Sequence, residues 1–414
     1  MYGTLAPTTR SLRDYAPIVG EAKIEDLKDL ARPLKGLRLL KLSVTAFGTG
    51  VAELLRCSVP LLGDLGLDCR WQVVRADDGA SQVSKAMYHA LAGGEVHWTS
   101  EMTDVWRRYT TMNADLFTEE YDVVVVHDLQ PAAIRSYVEP RRHPKARWLL
   151  HCHIDLGSAQ PDVWRLLEQH IRRYDAWIFE DERFTGDLKG TLPISFIAPA
   201  VDPLGPRNMA ISAAAIGDIL GRYGIDVERP LICQVAAINK DSDALGALEV
   251  YRLLRKRLPA LQLAMVATSL PDDPAAYAYF ERVVREAAEL PDVHILSNLD
   301  DAGDVEVNVV QRASRAMMQR ALHKGFGIWL SDALWKETPV VAAPMAGVPR
   351  QVIHGRTGYL ASSNEEFAGY LAALIENPAE ARRLGIAGRR HVADNYLVSR
   401  YVADYLRLLR EMMS

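Results

Sequence analysis

Short, unbroken apolar runs separated by longer amphipathic stretches restrict this chain to few architectures. LRLLKLSV (37–44), WQVV (71–74), YDVVVVH (121–127), RWLLHCH (147–153), AWIF (176–179) and ISFIAP (194–199) form a first series. These runs are largely continuous rather than alternating with period two, so they suit parallel strands covered on both faces. The stretches between them, such as 51–65 with its helical spacing of apolar residues, supply the right-handed crossovers that parallel strands need. The series stops at VDPLGPRN (201–208). It restarts with PLICQVAAI (230–238), LQLAMVA (261–267), DVHILS (292–297), AMMQRA (316–321) and PVVAAP (339–344), with helical stretches at 244–257, 275–288 and 308–314. A chain of 414 residues also exceeds what one core serves. The expected fold class is α/β: two Rossmann-like domains whose parallel sheets face each other across a cleft. The N-terminal domain is placed at 1–205 and the C-terminal domain at 206–393, with an amphipathic last helix in 394–414 packing back on the first domain.

The charge balance narrows the partners. Net charge is −5 and the sequence pI about 6.1, so no basic excess exists to grip a nucleic-acid backbone or an anionic membrane. Cys57, Cys69, Cys152 and Cys233 are scattered without CxxC spacing, which argues against a zinc site or a disulfide framework. The first residues contain no apolar core of a secretory signal, and no apolar run approaches the roughly 20 residues needed to span a bilayer. The expectation is a cytoplasmic protein without nucleic-acid or membrane partners.

Ligands of open parallel sheets sit beyond the carboxyl ends of the strands. In TAFGTGVAELL (45–55), Gly48 and Gly50 follow a strand and open a helix, where backbone amides can approach a phosphate or sugar; a tight turn is the plain alternative. HDLQP (127–131) brings His127 and Asp128, and HCHIDL (151–156) brings His151, His153 and Asp155, each just past a strand. Such groups can bind hydroxyls or handle a proton, although Asp128 and Asp155 also suit helix caps. Zinc on the three histidines is conceivable, but the spacing does not favour it. In the segment 323–360, Lys324, Gly325, Phe326 and Gly327 form a turn into a helix carrying Ser331 and Asp332. A lysine beside a glycine turn at a helix start can pair with a phosphate.

These segments resemble retaining nucleotide-sugar glycosyltransferases of the GT-B fold, nearest to the trehalose glycosyltransferring synthase group. FGTGVAELL, VPLLGDLGLDCRW, YDVVVVHDLQP, HCHIDL, APAVDPLGPRN, NVVQRAS, GFGIWLSDALWK and HGRTGYL carry the resemblance, which spans about 37–408. It implies that Gly48 and Gly50 lie near the donor diphosphate, that His153 approaches the transferred sugar, and that Asp155 orients its loop. Gly325, Phe326, Gly327 and Ser331 would lie on the donor side, with Asp332 where the family has a ribose-gripping glutamate. His127, Asp128, His151 and Asp155 are assigned to the acceptor side. It further implies no cofactor and no metal, with a nucleoside-diphosphate sugar as substrate, a small-molecule donor and acceptor as partners, and a homodimer as a common state.

The departures bear on activity. Ala237 and Ser242 stand where the resemblance expects a diphosphate-binding arginine and lysine. Lys324 replaces a sugar-binding glutamate, His151 an arginine, and Thr49 a common third glycine. A leaving diphosphate needs its charge stabilised, and one such donor is worth about 100–1,000-fold in rate. One reading moves the clamp to Lys240 and Lys324, with His153 orienting the sugar, and implies an unusual donor or acceptor, as in natural-product biosynthesis. A second keeps the fold as a nucleotide-, sugar- or partner-binding protein without transfer. A third is trehalose-type synthesis or a phosphorylase.

Overall fold

The computed structural model describes residues 3–4, 10–138, 145–188, 192–267, 274–320, 326–345 and 347–414. The chain divides into two compact units, Met1–Ala200 with Val398–Ser414, and Val201–Leu397. These divisions fall at 200/201 and 397/398, against the 205/206 and 393/394 read from the sequence.

The first unit is built on β1 (Gly3–Thr4), β2 (Arg38–Ser43), β3 (Asp68–Val73), β4 (Val123–His127), β5 (Arg147–Cys152), β6 (Ala176–Phe179) and β7 (Ile194–Phe196). Their order is β1-β3-β2-β4-β5-β6-β7, parallel throughout except for the antiparallel β1. Every residue of β4 and β6 is buried, as expected of strands with both faces covered. The second unit has β8 (Leu231–Ala236), β9 (Gln262–Ala267), β10 (Val293–Leu296), β11 (Ala316–Gln319), β12 (Val340–Ala342) and β13 (Gly358–Leu360). They form an all-parallel sheet in the order β10-β9-β8-β11-β12-β13. Helices Ala244–Arg255, Pro274–Ala288 and Asn364–Glu376 cover one part of its core, around Tyr251, Met265 and Phe367.

Strand order fixes where ligands are expected. It reverses direction between β2 and β4 in the first sheet and between β8 and β11 in the second. At such a switch point neighbouring loops diverge and leave a crevice beyond the carboxyl ends.

The last helix, Val398–Met413, belongs to the first unit and packs on helices Glu21–Ala31 and Gly50–Asp64, burying Tyr401, Tyr405 and Leu409. Residues 201–208, read as a break in the pattern, are folded into the second unit. The Val201 amide donates to the Tyr396 carbonyl at 2.7 Å, and Asn208 is buried.

Candidate functional site

The first switch point gathers the histidines. His127 ends β4 and is almost fully buried; His151 lies in β5, and His153 follows it. The intervening loop is held by a left-handed Asp128, φ 68°, whose amide donates to the His151 carbonyl at 2.8 Å and whose Oδ1 accepts from the His153 amide at 3.2 Å. A short polar side chain is among the few that tolerate this backbone. His153 is then bonded on both ring nitrogens, Nε2 to His127 Nδ1 at 3.0 Å and Nδ1 to Glu180 Oε1 at 2.7 Å. The His153 and Glu180 side chains are each only 8% exposed, so this chain of bonds is shielded from water.

The electrostatics set the proton positions. Burial works against a charged His153, but its hydrogen bond to Glu180 and the fields of Asp128 and Glu180 outweigh it and raise the pKa. Burial pushes Glu180 and Asp128 upward. Burial, with the fields of neighbouring cationic groups, drives His127 and His151 well below the ordinary imidazole value, so both stay neutral. Glu180 therefore accepts from His153 Nδ1–H, while Nε2 and His127 Nδ1 share one proton. His153 is the one ring here poised to carry charge.

Behind this array lies Lys41 on β2, fully buried, with Nζ 3.4 Å from the Tyr405 ring centroid. Burial lowers its pKa to about 7. Tyr405 also hydrogen-bonds His151 Nδ1 at 2.5 Å, so the returning last helix holds the ring stacked on His153 at 4.0 Å. His127, His151 and His153 offer ring nitrogens within 4.8 Å of one another. His127 Nδ1 and His153 Nε2 are bonded to each other, His127 Nε2 and His151 Nε2 are buried without a partner among the described residues, and the field of the nearby Lys41 opposes a cation.

The remaining acceptor residue, Asp155, accepts from the Gly157 amide at 2.9 Å and caps the short helix Leu156–Ser158. On the far side of the switch point, Gly48 is exposed with φ +73° and Gly50 opens helix Gly50–Asp64. Thr49, in place of a third glycine, caps that helix by accepting from the Ala52 amide at 3.2 Å.

In the second unit the predicted donor residues are largely engaged. Gly327, φ +74°, caps helix Ile328–Trp335, and Phe326 is buried against Tyr396. Ser331 donates to Gln351 Oε1 at 2.7 Å. Asp332 is 1% exposed and accepts from Asn208 Nδ2 at 2.7 Å, with Arg207 Nε 3.4 Å from its other oxygen. Lys336 completes the network, donating to Asn208 and Gln311, and burial lowers its pKa to about 7. Lys240 is exposed in the turn after β8. Lys324 and Gly325 lie outside the described residues.

Two family descriptions match the chain: "Trehalose synthase, N-terminal domain" over residues 41–186 and "Glycosyl transferases group 1" over 217–391. The trehalose synthase of Rubrobacter xylanophilus is 35% identical over 410 residues, covering 98% of both chains. That of Thermococcus litoralis is 33% identical over 402 residues, covering 97% of both. The chain belongs to the trehalose synthase family of glycosyltransferases. Its GT-B fold is shared with a UDP-forming α,α-trehalose-phosphate synthase from Burkholderia xenovorans, TM-score 0.70 at 14% identity, covering 91% of this chain and 100% of that one. Among the described residues of this glycosyltransferase, no helix is long and apolar enough to cross a membrane.

Sequence reasoning missed Glu180, Lys41 and Tyr405. Glu180 directly follows β6, so the strand-end rule that found His127 and His153 also reaches it. Tyr405 is 254 positions from His151, and no local signal joins them.

Proposed function

We propose that this glycosyltransferase moves a sugar, with retention at the anomeric carbon, from a nucleoside-diphosphate sugar to a small-molecule acceptor, and that it differs from a plain trehalose synthase in its donor or acceptor. The buried His127–His153–Glu180 array at the first switch point carries this reading. Burying charged and polar groups costs stability. A fold kept only for binding elsewhere has no use for such an array. His153, charged and fixed by Glu180 through Nδ1, orients the transferred sugar, and its Nε2 bond to His127 yields to a sugar hydroxyl when the donor arrives. Catalysis then rests on positioning and on stabilising the leaving diphosphate, with neither cofactor nor metal. Lys324, in place of a sugar-binding glutamate, supports a changed sugar pocket.

Trehalose formation itself is the second reading, favoured by the full-length likeness to two proteins named trehalose synthase. The test offers ADP-, GDP-, UDP- and dTDP-glucose and other hexose donors, with and without glucose, and follows release of the nucleoside diphosphate. Acceptor-dependent release with a non-glucose donor or acceptor supports the first reading. Release with glucose as both sugars supports the second. Binding of a donor without consumption contradicts both and leaves a binding protein.

A further inference from the structure

In the turn after β8, Ala237 and Ser242 stand where the family resemblance expects an arginine and a lysine. Ala237 has no charge to offer, and Ser242 is buried, with Oγ bonded to the Asn239 carbonyl at 2.7 Å. A cation enters instead from the neighbouring strand. Arg320 follows β11, and the register pairs Met317 with Cys233, which continued sets residue 320 level with residue 236. Its guanidinium is fixed from one edge, where Asp243 Oδ2 lies 2.7 Å from Nε and 2.6 Å from the terminal Nη2. Asp243 is itself fixed as the left-handed cap of helix Ala244–Arg255, accepting from the Gly246 amide. Gly246 permits this, because a Cβ there would stand 2.3 Å from the Asp243 carboxylate. The Phe367 ring supports the guanidinium at 4.8 Å. The other edge, Nη1, is buried and has no hydrogen-bond partner among the described residues. A buried guanidinium donor without an acceptor is costly, and its position is level with the end of β8 at the switch point. Lys240, whose carbonyl accepts from the Asp243 amide, sits on the same turn.

We propose that Arg320 supplies the grip on the donor's diphosphate that residues 237 and 242 do not; this rests on the donor reading above. Nη1 donates to a phosphate oxygen once the atoms that cover it shift on binding, while Asp243 keeps the other edge of the fork fixed. The cation has moved between adjacent strand ends rather than along one loop.

Calorimetry with ADP, GDP, UDP and dTDP, and with the matching monophosphates, tests the assignment in wild type, Arg320→Gln and Arg320→Lys. Hydrogen bonds to charged groups of about 1.5–3 kcal/mol predict that Arg320→Gln weakens the preferred diphosphate about 10–100-fold. The monophosphate, which lacks the second phosphate, changes far less, and Arg320→Lys recovers part of the loss. Equal weakening of both nucleotides marks a purely structural residue and overturns the proposal, as does unchanged diphosphate binding. If wild type binds no nucleotide at all, the donor reading itself falls, and Arg320's role with it.

Discussion

With Nδ1 bonded to Glu180 and Nε2 to His127, His153 has its orientation and its charge set by two neighbours. Glu180 raises the His153 pKa, so Glu180→Gln lowers it while keeping a carbonyl acceptor in place. The account predicts that kcat falls about 100-fold, the lower end of what a general acid–base group contributes, with little change in KM for the donor. The limb of the pH profile that reports His153 moves to lower pH. An unmoved limb would make Glu180 a packing residue only. Lys41 gives a stability test. Between about 7, its folded value, and the unfolded 10.5, the unfolded chain holds a proton that the folded chain has released, so stability from this group rises with pH across that window. Below it the charge is buried at full cost, among His127, His151, Cys57, Cys69, Tyr401 and Tyr405. Lys41→Met therefore raises stability by roughly 1–3 kcal/mol at pH 6.5, read as a higher Tm, and the gain shrinks toward pH 10. A lower Tm at pH 6.5 would show that the ammonium has a stabilising partner.

At the scale of elements, the helix that follows β2 depends on its N-cap. Thr49 caps helix Gly50–Asp64, so Thr49→Ala should cost about 1 kcal/mol and lower the Tm by roughly 2–4 °C. The same change leaves the φ +73° turn at Gly48 intact. An unchanged Tm would mean that the cap is satisfied by water. Strands such as residues 121–127 and 230–238 were legible because both faces are buried and apolar residues dominate them, with Gln234 the one polar residue inside β8. The three-residue β13 was not, since GYL lies within a segment too short to show a period. Helices Leu12–Val19 and Glu21–Ala31 passed unread, since polar residues crowd the narrow apolar stripes of Leu12 and Tyr15, and of Ile24 and Leu27. Site residues were legible where they followed a strong strand, as at His127 and His153. Glu180 was hidden in the acidic run EDER, which reads as surface. Arg320 was read as the tail of a strand, and its meaning depends on Asp243, 77 positions away.

For the whole molecule, each sheet reverses its strand order once, and each reversal carries one cluster of chemistry: His127, His153 and Glu180 in the first unit, Lys240, Asp243 and Arg320 in the second. On the proposal above, a nucleoside diphosphate binds at the second cluster. Hydrogen exchange with the preferred diphosphate should slow at the turn 237–246 and around Arg320, with the loops after β4 and β5 little changed. Protection confined to the histidine loops would reverse that assignment. The most direct test of the central claim is a proton NMR time course on the preferred α-linked donor with its acceptor. The account predicts that the donor's anomeric signal is replaced by that of an α-linked product, at a rate that falls when Glu180→Gln replaces wild type. A donor signal that persists despite tight binding would contradict it and leave a chain with the fold of a glycosyltransferase but not its chemistry.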